Sequence, residues 1–188
     1  MSKLLIGKER RVLAGCLAAM LCCSAGAQDR PQGQPTGAAG AARTSPKMTV
    51  QHAGQTPSGK GEAETFTGAV RRDGQFRAIA PGRIVGGTNT FEPGARTFWH
   101  SHSLGQTLIV VSGVGLTQAE GDAPVLIRPG DIITIAPGVR HWHGAAPTTA
   151  MAHIAITEID PAGNAVRWGE AVSETAYLAA DRAARSGH

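Results

Sequence analysis

The chain has 188 residues, with 18 Lys plus Arg against 14 Asp plus Glu, 25 Gly and 3 Cys. That length suits one domain with extensions rather than two full ones. The formal charge of +4 points at first to an acidic partner, but Lys3, Lys8, Arg10, Arg11 and all three cysteines precede residue 28. The remainder carries 14 basic and 13 acidic residues and no thiol, which argues against a nucleic-acid-binding face, disulfides and cysteine chemistry.

Taken in order, residues 1–27 read as an export signal. Lys3 to Arg11 is basic, Val12 to Cys23 is apolar, and Ser24-Ala25-Gly26-Ala27 supplies the small side chains that signal peptidase reads, so cleavage is expected after Ala27. The apolar run is shorter than the ~20 residues that a membrane-spanning helix needs. Arg10-Arg11-Val12-Leu13 looks like a twin-arginine signal, although ordinary signal peptides also carry paired arginines. Leu13-Ala14-Gly15-Cys16 looks like a lipoprotein box but precedes most of the apolar core, so no stable membrane anchor is expected. The expected location is periplasmic or secreted. Residues 28–46 are rich in Gln, Pro, Gly and Ala without a large apolar side chain, the composition of a disordered linker.

From residue 47 the texture changes to short β-branched runs separated by Gly and Pro. Strands are expected at Lys47–His52, Thr65–Val70, Ile84–Phe91, Thr97–His102, Thr107–Ser112, Val114–Ala119, Val125–Ile127, Asp131–Ile135, Val139–His143 and Ala150–Glu158. Many short strands at close spacing predict an all-β sandwich or barrel. Ser173–Arg185 reads as a helix capped by Ser173. The domain is drawn over residues 47–180, with 181–188 as a C-terminal tail.

Of the seven histidines, four form two His-X-His pairs, His100/His102 and His141/His143. On a strand, residues i and i+2 face the same way, so each pair presents two imidazoles to one side. Two solvent-facing histidines would explain either pair alone. Two pairs that a barrel brings together favour a metal site, imidazole being the commonest metal ligand. Trp99 and Trp142 alternate away from the ligands and are expected to pack on the outer face. Arg96 and Arg140 flank the ligand strands; they could bind a carboxylate, but surface solvation is the expected role.

The spacing is more specific than the pairs. Gly94, His100-Ser101-His102, Gln106 and Gly113 follow the first motif of the cupin superfamily, with Gln106 where Glu is usual. Gly130, Pro137-Gly138 and His141 resemble its second motif, with Ala136 and Ala145 as departures. The resemblance covers residues 47–178 and implies a cupin barrel, the double-stranded β-helix or jelly roll, with a short C-terminal helix. Phe91-Glu92-Pro93-Gly94-Ala95-Arg96-Thr97, Gly105-Gln106-Thr107-Leu108-Ile109-Val110 and His141-Trp142-His143-Gly144-Ala145-Ala146-Pro147-Thr148-Thr149-Ala150-Met151 resemble the small manganese cupins with hydroxynitrile lyase activity. Gly59-Lys60-Gly61 and Phe66-Thr67-Gly68 fit the same family.

That resemblance implies a divalent metal, manganese first with iron, zinc or nickel as alternatives, held by His100, His102, His141 and Gln106. It implies that His143 and His153 line the substrate pocket as acid/base groups. Gly87, Asn89 and Thr157 match pocket-lining positions, with side chains that depart from the family pattern and leave the substrate open. Three neutral imidazoles and an amide leave the ion's charge uncompensated, so a bound oxygen is polarised more strongly than with Glu at position 106, while the ion is held less tightly. The implied reaction is cleavage of a hydroxynitrile to an aldehyde and hydrogen cyanide, or its reverse. A quercetinase-like cupin dioxygenase and a non-catalytic metal- or ligand-binding cupin are the alternatives. The expected partners are a small-molecule substrate, no nucleic acid, and a second copy of the chain in a dimer or tetramer.

Overall fold

The computed structural model describes residues 47–186; the expected signal and linker lie outside the described residues. Thirteen strands and one helix follow in order. They are β1 (Gly59–Lys60), β2 (Phe66–Thr67), β3 (Val70–Arg77), β4 (Ile84–Phe91), β5 (Arg96–Thr97), β6 (His100–Ser101), β7 (Gln106–Gly113), β8 (Gly115–Ala119), β9 (Val125–Ile127), β10 (Ile132–Ile135), β11 (His141–Ala145), β12 (Met151–Glu158), β13 (Arg167–Trp168) and α1 (Glu174–Ser186). They form two antiparallel sheets, one ordered β1-β3-β4-β12-β7-β10 and one built on β13-β6-β11-β5-β2 with β8 and β9 added beside β11. Among the described residues, no helix is long and apolar enough to cross a membrane.

Most expected strands form, and β4 and β9 match to the residue. Lys47–His52 does not: it joins no strand, with Met48 89% and Val50 61% exposed. Its alternation of apolar and polar residues has no sheet to bury against. Thr97–His102 is split because Phe98 N–H donates to Thr65 and Trp99 N–H to Glu170, away from the partner strand. Three strands were not foreseen: β1, β13 and most of β3, whose sequence VRRDGQFR lacks an apolar alternation. The helix begins after Ser173, whose hydroxyl accepts the Ala176 N–H at 3.2 Å as an N-cap. It continues to Ser186, so residues 181–186 belong to the folded domain rather than to a tail.

The sheets enclose an apolar cluster of Val70, Phe91, Val110, Ile127 and Met151 at one end of the interior, leaving the other end to the histidines. Gly113, at φ +75°, closes β7 where a Cβ would lie 1.8 Å from the Ala150 carbonyl oxygen, so only glycine lets β7 and β12 pair this closely. The outer face of β11 is covered by α1. Trp142 is fully buried there against Tyr177, at 5.9 Å between rings, with Leu116, Val172 and Ala180 around them. Trp142 therefore packs on the outer barrel face, as its alternation with the ligands indicates.

Arg96 departs from expectation. It is 3% exposed, donates to the carbonyls of Val172 and Gly94, pairs with Glu174 at 3.0 Å, and lies 4.4 Å from the centre of the Tyr177 ring. It ties the helix to the sheet and does not solvate the surface. Arg140 is a surface group paired with Glu120 and Glu170, with its guanidinium over the Trp99 ring.

Candidate metal centre

Antiparallel pairing of β6 and β11 sets His100 directly opposite His141, which brings the two His-X-His pairs together. Their rings lie 4.2 Å apart between centres, and the His102 ring lies 5.1 Å from His100 and 5.6 Å from His141. On the facing sheet, Gln106 of β7 and Thr157 of β12 are cross-strand partners. The Gln106 amide N–H donates to the Thr157 hydroxyl at 3.4 Å, which turns the amide oxygen towards His141 Nε2 at 3.2 Å.

The hydrogen bonds fix the tautomers. His100 Nδ1 lies 2.9 Å from the Phe98 carbonyl, His102 Nδ1 2.6 Å from that of Ala165, and His141 Nδ1 3.0 Å from that of Val139. A carbonyl can only accept, so each Nδ1 carries the proton and each Nε2 presents a lone pair. His141 Nε2 and Gln106 Oε1 are then two acceptors facing each other, and His102 Nε2 is buried with no partner. Lone pairs converging without a donor are costly when buried, and a cation among them resolves the conflict. The residues present thus fit a divalent ion on His100, His102, His141 and Gln106.

Burial keeps these imidazoles neutral, as a metal ligand must be. It pushes His141 down to about 4 and His100 well below its ordinary value, with His141 adding to the effect on His100. His102 is lowered for the same reason, partly offset by the Ala165 carbonyl and Gln106.

His143 is close to the same centre. Nitrogens of His100, His141 and His143 lie within 4.8 Å of one another, which makes this a competing ligand triad. His143 lacks the carbonyl tie, however: its Nδ1 faces His153 Nε2 at 3.2 Å and its Nε2 has no partner. No carbonyl fixes its tautomer, and the tied set of His100, His102 and His141 is the better-oriented ligand group. Burial also lowers both partners of the pair, His153 to about 4 and His143 well below its ordinary value.

A cavity of about 700 Å³ opens onto the site. Gly87, Asn89, Thr157, His102, Gln106 and His143 line it, which puts all three expected pocket positions on its wall. His153 does not reach the wall; it is fully buried behind His143, so it does not line the pocket as the resemblance implies. Trp168, 4.8 Å from the His100 ring, and Phe66 provide an aromatic wall. Sequence reading missed Trp168, the Ala165 carbonyl, Arg72 and Gln75, because each reaches the site from a segment with no motif. His52 is exposed and takes no part.

Comparisons with known proteins agree with this fold. The family model for the cupin domain matches residues 87–157. The chain is 53% identical over 131 residues to an (R)-mandelonitrile lyase from Granulicella tundricola, covering 69% of this chain and 98% of that protein. Among solved structures it is similar to a cupin-like protein from Thermotoga maritima, with a TM-score of 0.60 and 35% identity over 71% of this chain and 97% of that one. A cupin-2 domain from Rhodospirillum rubrum shares the fold at a TM-score of 0.53 and 16% identity, over 73% of this chain and 88% of that one.

Proposed function

The chain belongs to the hydroxynitrile lyase-like family of cupins, and from that premise we propose that it is an exported, metal-dependent lyase that cleaves hydroxynitriles to an aldehyde and hydrogen cyanide and runs the reverse addition. The observation that carries this reading is the convergence of three carbonyl-tied imidazoles and the Gln106 amide oxygen beside an untied His143–His153 pair. The relative named (R)-mandelonitrile lyase supports the choice of reaction.

A divalent ion on His100, His102, His141 and Gln106, manganese by preference, would supply Lewis acidity for the developing negative charge. The remaining work falls to the chain. The aromatic wall of Phe66 and Trp168 holds the organic part of the substrate, while Thr157 keeps the Gln106 amide turned inward. His143, neutral because it is buried, takes the hydroxyl proton. The carbon–cyanide bond then breaks with its electron pair on cyanide as the carbonyl forms. His143 returns the proton to cyanide, giving hydrogen cyanide. His153, hydrogen-bonded behind it, holds the His143 ring in place through the transfer.

Metal analysis of protein from its native compartment, followed by assay of that species with mandelonitrile, tests the proposal. Manganese or iron with benzaldehyde release that stops on chelation is the expected result. Zinc alone, with neither cyanohydrin cleavage nor oxygen uptake, would leave a binding protein, and oxygen uptake alone a dioxygenase. The basic and apolar N-terminal run supports export, and replacing Arg10-Arg11 by two lysines should block it if the twin-arginine route is used. A homodimer or tetramer belongs to the same proposal. Val111 and Ile132, exposed on neighbouring strands of the six-stranded sheet, support it, and light scattering at micromolar concentration measures it.

A further inference from the structure

The cavity wall opposite the histidines is unusually polar for a site that only holds an apolar aldehyde. Arg72 and Gln75 of β3 both line it. Arg72 is the cross-strand partner of Asn89, and Asn89 is that of His153, so Arg72 lies on the inward face two strands from the proton-transfer pair. Two strand spacings are ~10 Å, the reach of a small substituted aromatic molecule.

A β-bulge shapes this wall. Between Asp73 and Phe76 the register shifts, so that Gly74 and Gln75 oppose the single residue Gly87. Gly74, at φ +55°, takes the left-handed conformation of the bulge. The bulge swings Gln75 over Gly87, where a Cβ would lie 2.0 Å from its amide nitrogen. Gly87 therefore does more than widen the pocket; it is the space that the Gln75 amide occupies. From there Gln75 accepts a hydrogen bond from Arg72 Nη2 at 3.1 Å through its oxygen, and its N–H donates to the Asp73 carbonyl at 3.3 Å.

Arg72 has no ionic partner among the described residues: the neighbouring acid Asp73 is taken by Arg71. The other charged groups on the wall are Arg77 and Glu62, both exposed. Arg72 and Arg77 outnumber Glu62 on the wall, so these groups give the cavity an excess of positive charge before any ion is added. A half-buried guanidinium held by an amide and lacking a carboxylate is a preformed anion site.

We propose that the cavity recognises a substrate bearing a carboxylate, with Arg72 as its charge partner and Gln75, lodged over Gly87, holding the guanidinium in place; this rests on the lyase reading of the same cavity. The natural hydroxynitrile is then an acid, its hydroxyl at the histidine end and its carboxylate at β3.

Two uncleavable probes separate this from direct ligation of the ion: 4-(hydroxymethyl)benzoate and benzyl alcohol, titrated calorimetrically into chelated and metal-loaded protein. The acid should bind at least about tenfold tighter than the alcohol in both forms. Arg72→Met should bring the ratio close to one, Arg72→Lys should retain part of it, and Gly87→Ala, which displaces Gln75, should lower it. Equal binding by the chelated protein, or a ratio unchanged in a folded Arg72→Met, overturns the proposal. Turnover of mandelonitrile and its 4-carboxy derivative distinguishes the two readings. Cleavage of both without preference for the acid sinks the anion site alone. Preferential binding of the acid probe with neither cyanohydrin cleaved sinks the lyase reading and leaves the anion site standing.

Discussion

The Nε2 atom of His153 lies 3.2 Å from Nδ1 of His143, in a layer behind the cavity wall. One of the two nitrogens must donate, so the state of His153 determines which nitrogen of His143 carries a proton. This separates the histidines into two chemical groups, those tied to backbone carbonyls and those tied to each other.

His143→Ala should therefore cut kcat by about 10²-fold or more, the scale of a lost general acid–base, while metal content stays near that of the unaltered protein. His153→Leu should lower kcat by less and broaden or shift the pH profile, because it loosens the orientation of His143 without removing the base. Metal analysis beside steady-state kinetics checks both. Loss of the ion from His143→Ala would instead make it a ligand, in favour of the competing triad of His100, His141 and His143.

His102→Ala should have the opposite signature. Its Nε2 is one of the lone pairs that find no donor in the fold, and removing a ligand should cost at least the 10–100-fold in metal affinity typical of losing a supporting partner. Gln106→Glu should tighten the ion while slowing turnover, since an added negative charge opposes the build-up of another on substrate. Competition with a chromogenic chelator measures the affinities. Thr157→Val, which frees the amide of Gln106, should weaken the ion less than Gln106→Ala does.

The two His-X-His pairs were legible because strand periodicity brings i and i+2 to one face, whereas Gln106 came only from the resemblance of the spacing to the cupin motif. What was not legible depends on register. Arg72 lies in a polar segment with no strand pattern; its pairing with Asn89 puts it on the inward face, and the bulge at Gly74–Gln75 with the space over Gly87 brings Gln75 beside it. Arg96 was misread for a related reason: its partners Val172, Glu174 and Tyr177 come from the C-terminal segment, 76 residues or more away. Lys47–His52 shows the converse, a strand pattern without a sheet edge to complete it.

Acid should destabilise the metal-free protein through the buried histidines. His153 is held down to about 4 by burial, against ~6.5 in the unfolded chain. The unfolded state thus takes up the proton first as pH falls. The stability contributed by neutral His153 is complete above pH ~6.5 and is lost as pH falls towards 4. Melting temperature in EDTA should fall across that window, and His153→Leu should flatten the fall. An unaltered slope in a folded His153→Leu would remove His153 from the list of causes.

The helix should prove as necessary to the site as the strands, because β11 carries His141 and His143 on one face and the helix contact on the other. The Tyr177 hydroxyl donates to the Ala145 carbonyl at 2.7 Å from beneath the Arg96 guanidinium, four residues along β11 from His141. Tyr177→Phe leaves that buried carbonyl without its donor and should cost about 1–3 kcal/mol. Trp142→Ala, which empties the centre of the same contact, should cost about 3–5 kcal/mol. If the helix holds β11 in register, both variants should also lose metal affinity, although neither residue touches the ion. Denaturant unfolding and chelator competition on the same samples test the coupling, and a destabilised variant with unchanged metal affinity would show that the metal centre is held by the strands alone.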